Sequence, residues 1–224
     1  MCPGIKAWIV MELVSPTMLL TSYLNHPLSS AVPPFFSPAT LLAGLFIAHY
    51  TNRALVSPLR TPVRSRAHFI IPLGASLFNL FNGSLMGSYL SSSISQDLWQ
   101  TNRLFWPGVG LFVLGLAGNI LHDEILLNLR RHVPHGDDGK PRYAIPYGWL
   151  YRWVSYPNYL CEWVEWLGFA LAACPKPTTV AAPWIFFIAE IAVMLPRAVK
   201  GHEWYHQKFE NYPAERKAVV PYLL

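Results

Sequence analysis

The sequence predicts an all-α fold: a multi-pass transmembrane bundle of about six helices, forming a single domain over residues 1–224. Three observations lead there. The chain is 53% hydrophobic and only 13% charged, against roughly 25% charged in soluble domains. Its apolar residues collect in stretches close to the ~20 residues that cross a bilayer as helix. Its basic residues segregate by loop: all of the 17 except Arg103 and Lys176 fall on one side once the spans are threaded. That bias places both termini and the long loops in the cytosol.

The first span covers about residues 5 to 23 and carries Glu12. A carboxylate in hydrocarbon is costly enough that such residues usually face a protein-lined cavity. Pro16, four residues on, lacks the N–H that would bond the Glu12 carbonyl, which favours a bend beside the acid. The second span, about 36 to 56, ends in "LFIAHYTNR". Tyr50 there offers a phenol that donates hydrogen bonds at neutral pH, although alone it reads equally as an interfacial belt aromatic. His49, Arg53 and the aromatics of "FNLFNG" have ordinary structural readings. The third span runs from about 68 to 90 and closes on the turn "SSSIS".

In the fourth span, about 104 to 128, Asn119, His122, Asp123 and Arg130 fall close to one helical face. They make a polar stripe along which a long anionic ligand could lie, or a set of helix-end groups that snorkel and pair. The loop "RRHVPHGDDGKPRYAIPYG" is the longest polar stretch and the natural mobile cytosolic cover. The fifth span, about 160 to 174, belongs to a helix started by Pro157. Asn158, Glu162 and Glu165 share its face, and an amide beside a carboxylate can read a donor-rich edge such as a carboxamide or a ribose diol. The same acids could instead pair with Arg from a neighbour. The sixth span, about 179 to 199, continues into "LPRAVKGHEWYHQKFENYP". Arg197, Tyr205 and Arg216 lie at that end, where guanidinium suits phosphate, and Arg130 is expected to join the two arginines around it. Each is also part of the positive-inside signal.

Other classes lose their support. Loop segregation of the charge leaves no basic stripe for a nucleic acid. Cys2, Cys161 and Cys174 have neither metal-ligand spacing nor an obvious pairing, so no metal site and no disulfide framework is expected. The first span lacks the flanks of a removed signal peptide. Without a Gly-rich dinucleotide fingerprint or P-loop, a nucleotide would be held by membrane helices.

The run "YAIPYGWLYRWVSYPNYLCEWVEWLGFALA" followed by "HEWYHQKFENYPAERKAVVPYLL" resembles the C-terminal half of the steroid 5α-reductase family, the membrane 3-oxo-5α-steroid 4-dehydrogenases. The likeness extends through "GNILHDEILLNLRR", "NGSLMGSYL", "LLAGLFIAHYTNR" and "AWIVMELVSP". The tail is shared with other membrane reductases and methyltransferases, whereas the N-terminal Glu and Tyr segments are more specific to steroid-type reductases. The resemblance implies a helical bundle enclosing NADPH and an apolar enone that enters from the lipid, with residues 93–224 as the cofactor-binding half. It assigns carbonyl activation to Glu12 and Tyr50. Cofactor contacts would fall to Asn119, Asp123, Arg130, Tyr143, Asn158, Glu162, Arg197, Tyr205 and Arg216, and the floor of the substrate pocket to Trp166. It also implies the endoplasmic reticulum membrane, with the cofactor side toward the cytosol, and a monomer. The family usually has seven helices, the first of which has no counterpart ahead of Glu12. Gly201 and Glu203 stand where His and a basic residue are common, and Met86 where glutamine is.

The leading function is therefore NADPH-dependent reduction of an α,β-unsaturated ketone in a steroid or other polycyclic lipid. A reductase of a polyprenol, polyprenal or enoyl thioester is the nearer alternative. A catalytically silent membrane scaffold or lipid-binding protein is the alternative of a different class.

Overall fold

The computed structural model describes residues 4–61, 68–132, 143–174 and 181–224, and these are all-α. The elements are α1 (Gly4–Asn25), α2 (Pro38–Thr51), a π-turn (Asn52–Val56), α3 (Ser57–Arg60), α4 (Ile70–Ser91), α5 (Leu98–Thr101), α6 (Phe105–His132), α7 (Pro157–Ala173) and α8 (Ala182–Lys208). Short 3₁₀ turns cover Ser93–Ser95 and Trp149–Arg152. Among the described residues the only β feature is an isolated bridge between Val154 and Lys217. Helices α1, α4, α6 and α8 are each long and apolar enough to cross a membrane. This is a membrane protein.

One of the six expected spans is built differently, and another is as short as expected. The second is helical without a break from 38 to 60, but α2 proper has only 14 residues before the π-turn widens it. Pro58 accounts for the change. It has no N–H for the Ala54 carbonyl one turn back, and the N–H of Ser57 bonds Asn52, five residues back rather than four. The fifth span, α7, has 17 residues, short of the ~20 that cross a bilayer. Conversely, α6 and α8 run past the apolar stretch, to His132 and Lys208. The expected cytosolic cover at 133–142 lies outside the described residues.

Contacts divide the chain into two compact units: Met1–Val109 with Phe169–Phe186, and Gly110–Gly168 with Phe187–Leu224. In the first, α4 lies directly against α1. Gly83 and Gly87, one turn apart, face the backbone carbonyls of Ser15 and Leu19, leaving no room for a Cβ. Small residues four apart are the standard means of bringing two membrane helices into close contact. At the other end of α1, the Tyr23 hydroxyl meets Thr40 Oγ1 at 2.7 Å. Ser37 caps α2 by accepting from the Thr40 N–H at 3.2 Å. The last carbonyls of α7 also have partners in this unit: Asn102 donates to Leu171 and Ala172, both at 2.8 Å, and Tyr89 donates to Ala173 at 3.0 Å.

In the second unit, α6 meets α7 through Gly115 and Gly118, where added Cβ atoms would strike the Glu165 backbone and the Cys161 sulfur. A core of Trp163, Met194, Ala198, Ala218 and Val219 joins α7, α8 and the C-terminal segment. That segment is pinned by hydrogen bonds from Lys217 N to Trp153 O at 2.9 Å and from Ser155 N to Lys217 O at 2.8 Å.

Candidate active site

In the first unit Glu12 and Tyr50 are both buried, at 5% and 3% exposure, so neither faces lipid. Glu12 lies in the middle of α1, and its Oε1 accepts from Arg53 Nε at 3.3 Å. Tyr50 ends α2 with its ring stacked on Phe46, centroids 4.7 Å apart. Asn82 of α4 donates both to the Tyr50 hydroxyl, at 3.4 Å, and to Ser15 Oγ, at 3.3 Å. One turn earlier, Asn79 donates to the Met11 carbonyl at 2.7 Å. An accepted hydrogen bond polarises the phenol and makes its O–H a better donor. Asn79 and Asn82, which the sequence reading does not single out, join the surroundings of Glu12 and Tyr50. Two amides three apart on an otherwise apolar helix were the available signal.

In the second unit the sequence-derived polar residues of α6 and α7 come together. Asn119 donates to the Asn158 carbonyl at 3.0 Å and to Glu162 Oε2 at 3.2 Å, and Asn158 donates to Asp123 Oδ1 at 3.0 Å. Both N–H groups of Asn119 are thereby spent orienting its neighbours. Glu162 is 2% exposed. Carboxylates fixed in this way present acceptor lone pairs to a ligand edge rich in donors.

His122, from the same stripe, is structural. Its Nδ1 sits 2.6 Å from the Gly118 carbonyl, which can only accept, so Nδ1 carries the proton. Nε2 then accepts from the Leu150 N–H at 3.3 Å. Both nitrogens of a neutral imidazole are thus engaged.

Arg216 is buried to 2% exposure, its guanidinium 4.9 Å from the Tyr147 ring and 5.1 Å from the Tyr212 ring. Nη1 donates to the Pro146 carbonyl at 3.1 Å, while the buried Nε has no partner among the described residues. Tyr205 stacks on Tyr212 at 5.1 Å and lies within the electrostatic reach of both Arg130 and Arg216. Arg197 does not join them by any contact among the described residues. It is exposed on α8. Tyr143 is also largely exposed, edge-on to Trp204 at 5.0 Å. Trp166 is buried against Phe112, with centroids 5.9 Å apart.

Two tyrosines that the sequence reading did not select enclose this part of the unit. Burial pushes the Tyr151 phenol up, helped by the charge of Asp123 and opposed by Arg130, and burial likewise raises Tyr156. Both remain protonated donors through neutral pH. Tyr156 also explains Gly201: a Cβ there would run into the Tyr156 hydroxyl, so the phenol tip takes the space of a larger residue. Ser155, likewise unforeseen, bonds His202 Nδ1 and the Tyr212 hydroxyl, each at 2.6 Å.

Residues 65–224 match the sequence profile of the family described as 3-oxo-5-alpha-steroid 4-dehydrogenase. Among similar proteins, 3-oxo-5-alpha-steroid 4-dehydrogenase 1 of Rattus norvegicus is 35% identical over 228 residues, covering 99% of this chain and 83% of that protein. Steroid 5-alpha-reductase DET2 of Solanum lycopersicum is 37% identical over 227 residues, covering 97% of this chain and 80% of that protein. A Schizosaccharomyces pombe protein described as uncharacterised is 40% identical over 242 residues, covering 99% of this chain and 84% of that protein.

Proposed function

Because the chain belongs to the 3-oxo-5-alpha-steroid 4-dehydrogenase family, membrane oxidoreductases acting on CH–CH donors, we propose that it reduces the C=C bond of an α,β-unsaturated ketone in a steroid or other polycyclic lipid. The observation that carries this reading is a buried phenol, Tyr50 of α2, bonded by Asn82 of α4, a helix long and apolar enough to cross a membrane. A donor waiting in a dry site where an oxyanion develops is among the largest single contributions to catalysis.

The cofactor this chain's residues would hold is NADPH, which when bound would supply a hydride to the β-carbon of the enone. The second unit suits it on two counts. Arg216 keeps a buried Nε without a protein partner among the described residues, a group that a phosphate oxygen satisfies. Glu162 and Asp123 are pre-oriented acceptors for a carboxamide or ribose edge. Arg130 and Tyr205 complete the phosphate-side set, Tyr143 is a further cofactor contact, and Trp166 supplies the apolar floor under the substrate. Tyr50 donates to the ketone oxygen as charge moves onto it, Glu12 orients Tyr50, and the α-carbon then takes a proton. The enzyme works as a monomer in the endoplasmic reticulum membrane, its cofactor side toward the cytosol.

A substrate panel tests this. Microsomes carrying the protein should consume NADPH with a polycyclic enone and not with a polyprenal or an enoyl-CoA. Consumption only with one of the latter would transfer the activity to that substrate class, and none with any of the three would leave a silent membrane protein. The cofactor assignment makes its own prediction. Glu162→Ala, which leaves Asn119 without its carboxylate acceptor, should weaken NADPH binding first, at least tenfold by the ordinary cost of a lost charge-assisted hydrogen bond. Titration of cofactor fluorescence on the purified protein would show it.

A further inference from the structure

We infer that Arg53 is the positioning residue of Glu12, held at the required angle by the π-turn and by Trp8; this rests on the catalytic reading of Glu12 and Tyr50 given above. Three contacts converge on this one side chain and its backbone. Arg53 Nε meets Glu12 Oε1 at 3.3 Å. The guanidinium lies over the Trp8 ring, 5.3 Å from its centroid. The Trp8 indole N–H donates to the Arg53 carbonyl at 3.1 Å. Trp8 and Glu12 are four residues apart, hence on one face of α1, and together they grip Arg53 at both ends.

The π-turn is what offers this grip. In an ordinary α-helix the Arg53 carbonyl would accept from Ser57, but here the Ser57 N–H bonds Asn52. The residue five beyond Arg53 is Pro58, which has no N–H to offer. The carbonyl is thus released from the helical ladder and taken up by Trp8. Single π-turns inside α-helices recur at functional sites, and this one begins two residues after Tyr50.

The pair is also asymmetric in a way that suits positioning. The Glu12 side chain is 7% exposed and that of Arg53 29%, so the base reaches from the boundary to an acid held inside. The contact of Arg53 Nε with Oε1 fixes the plane of the carboxylate, and with it the direction in which Oε2 is offered to the phenol in the catalytic reading given above. Removing Arg53 leaves the carboxylate free to turn away, and misplacement by about 1 Å near a reacting centre can cost on the order of 10²-fold.

Full-length protein in membranes supplies the test. Arg53→Gln should lower kcat about 10- to 100-fold with NADPH affinity unchanged, and Arg53→Lys should recover part of the loss because it keeps the charge but not the planar stack. The deciding measurement is the same substitution in a Glu12→Gln background. A residue acting through Glu12 should cost almost nothing further there, whereas a merely structural residue would cost as much as before. Should Arg53→Gln fail to fold, Trp8→Phe, which keeps the ring and removes the donor to the Arg53 carbonyl, should give a smaller kcat loss that vanishes in the same background. An undiminished loss in Glu12→Gln, or full activity for Arg53→Gln, overturns the inference. Full activity of Glu12→Gln and Tyr50→Phe would instead sink the catalytic reading beneath it.

Discussion

Tyr50→Phe is expected to reduce kcat by about 10²- to 10³-fold, the usual loss when a single oxyanion donor is removed, while NADPH affinity stays at the wild-type value. The substitution is clean because of how the ring is held. Phenylalanine keeps the stack on Phe46 and the edge contact with His49, centroids 5.1 Å away. What disappears is the hydroxyl, with its proton and its acceptance from Asn82. Asn82 keeps Ser15 as a second acceptor, so the amide is not stranded. Together with Glu162→Ala, the variant separates two phenotypes: slow chemistry with normal cofactor binding, and poor cofactor binding. Equal loss of NADPH affinity in both folded variants would mean that the nicotinamide end of the pocket is misassigned.

Gly83→Val is expected to destabilise the folded state severely. A Cβ at Gly83 would collide with the Ser15 carbonyl and come within 2.9 Å of Met18 Cβ. The obstacle is backbone rather than the tip of a flexible chain, so α4 and α1 must part along their length. Overpacking costs typically 1–3 kcal/mol, and more where nothing can yield, so a loss of about 3 kcal/mol or more is expected. Gly74→Ala on the same helix is the internal control. Nothing lies within 4 Å of a Cβ there, and alanine in an exposed helix interior should gain about 0.5–1 kcal/mol over glycine. Thermal unfolding in detergent should therefore move in opposite directions for the two variants. A Gly83→Val protein melting with wild-type would mean that α1 and α4 do not pack this way.

Sequence alone located the apolar helices, the start of α7 at Pro157 and the polar face shared by Asn158 and Glu162. Each rests on a local rule of periodicity or proline position. It missed features set by what a residue meets rather than by where it lies in sequence. Arg53 passed as an ordinary loop-side arginine because its partners, Glu12 and Trp8, are 41 and 45 residues away. The π-turn did leave a trace, Pro58, which has no N–H for the carbonyl one turn back, but a proline near a helix end is usually read as a stop. Gly83 and Gly87 stand in the sequence as part of a motif and not as a packing seam, because spacing says that two residues share a face but not what faces them. Arg197 shows the converse. Charge type and position grouped it with Arg130 and Arg216, and the structure leaves it on the surface of α8.

Asn79, Asn82, Gly83, Met86 and Gly87 are all buried on α4, recurring at the three- and four-residue steps of one helical face. The strip that lets α1 approach is thus the strip whose amide lies under Tyr50. A single inserted residue between Gly74 and Asn79 would turn everything after it by about 100° and carry the glycines and the amides away together. Heat acts on the same seam: once α4 drifts from α1, the amide that polarises the phenol drifts with it. Loss of turnover on warming should then keep pace with loss of structure, leaving no temperature at which an intact but idle enzyme accumulates.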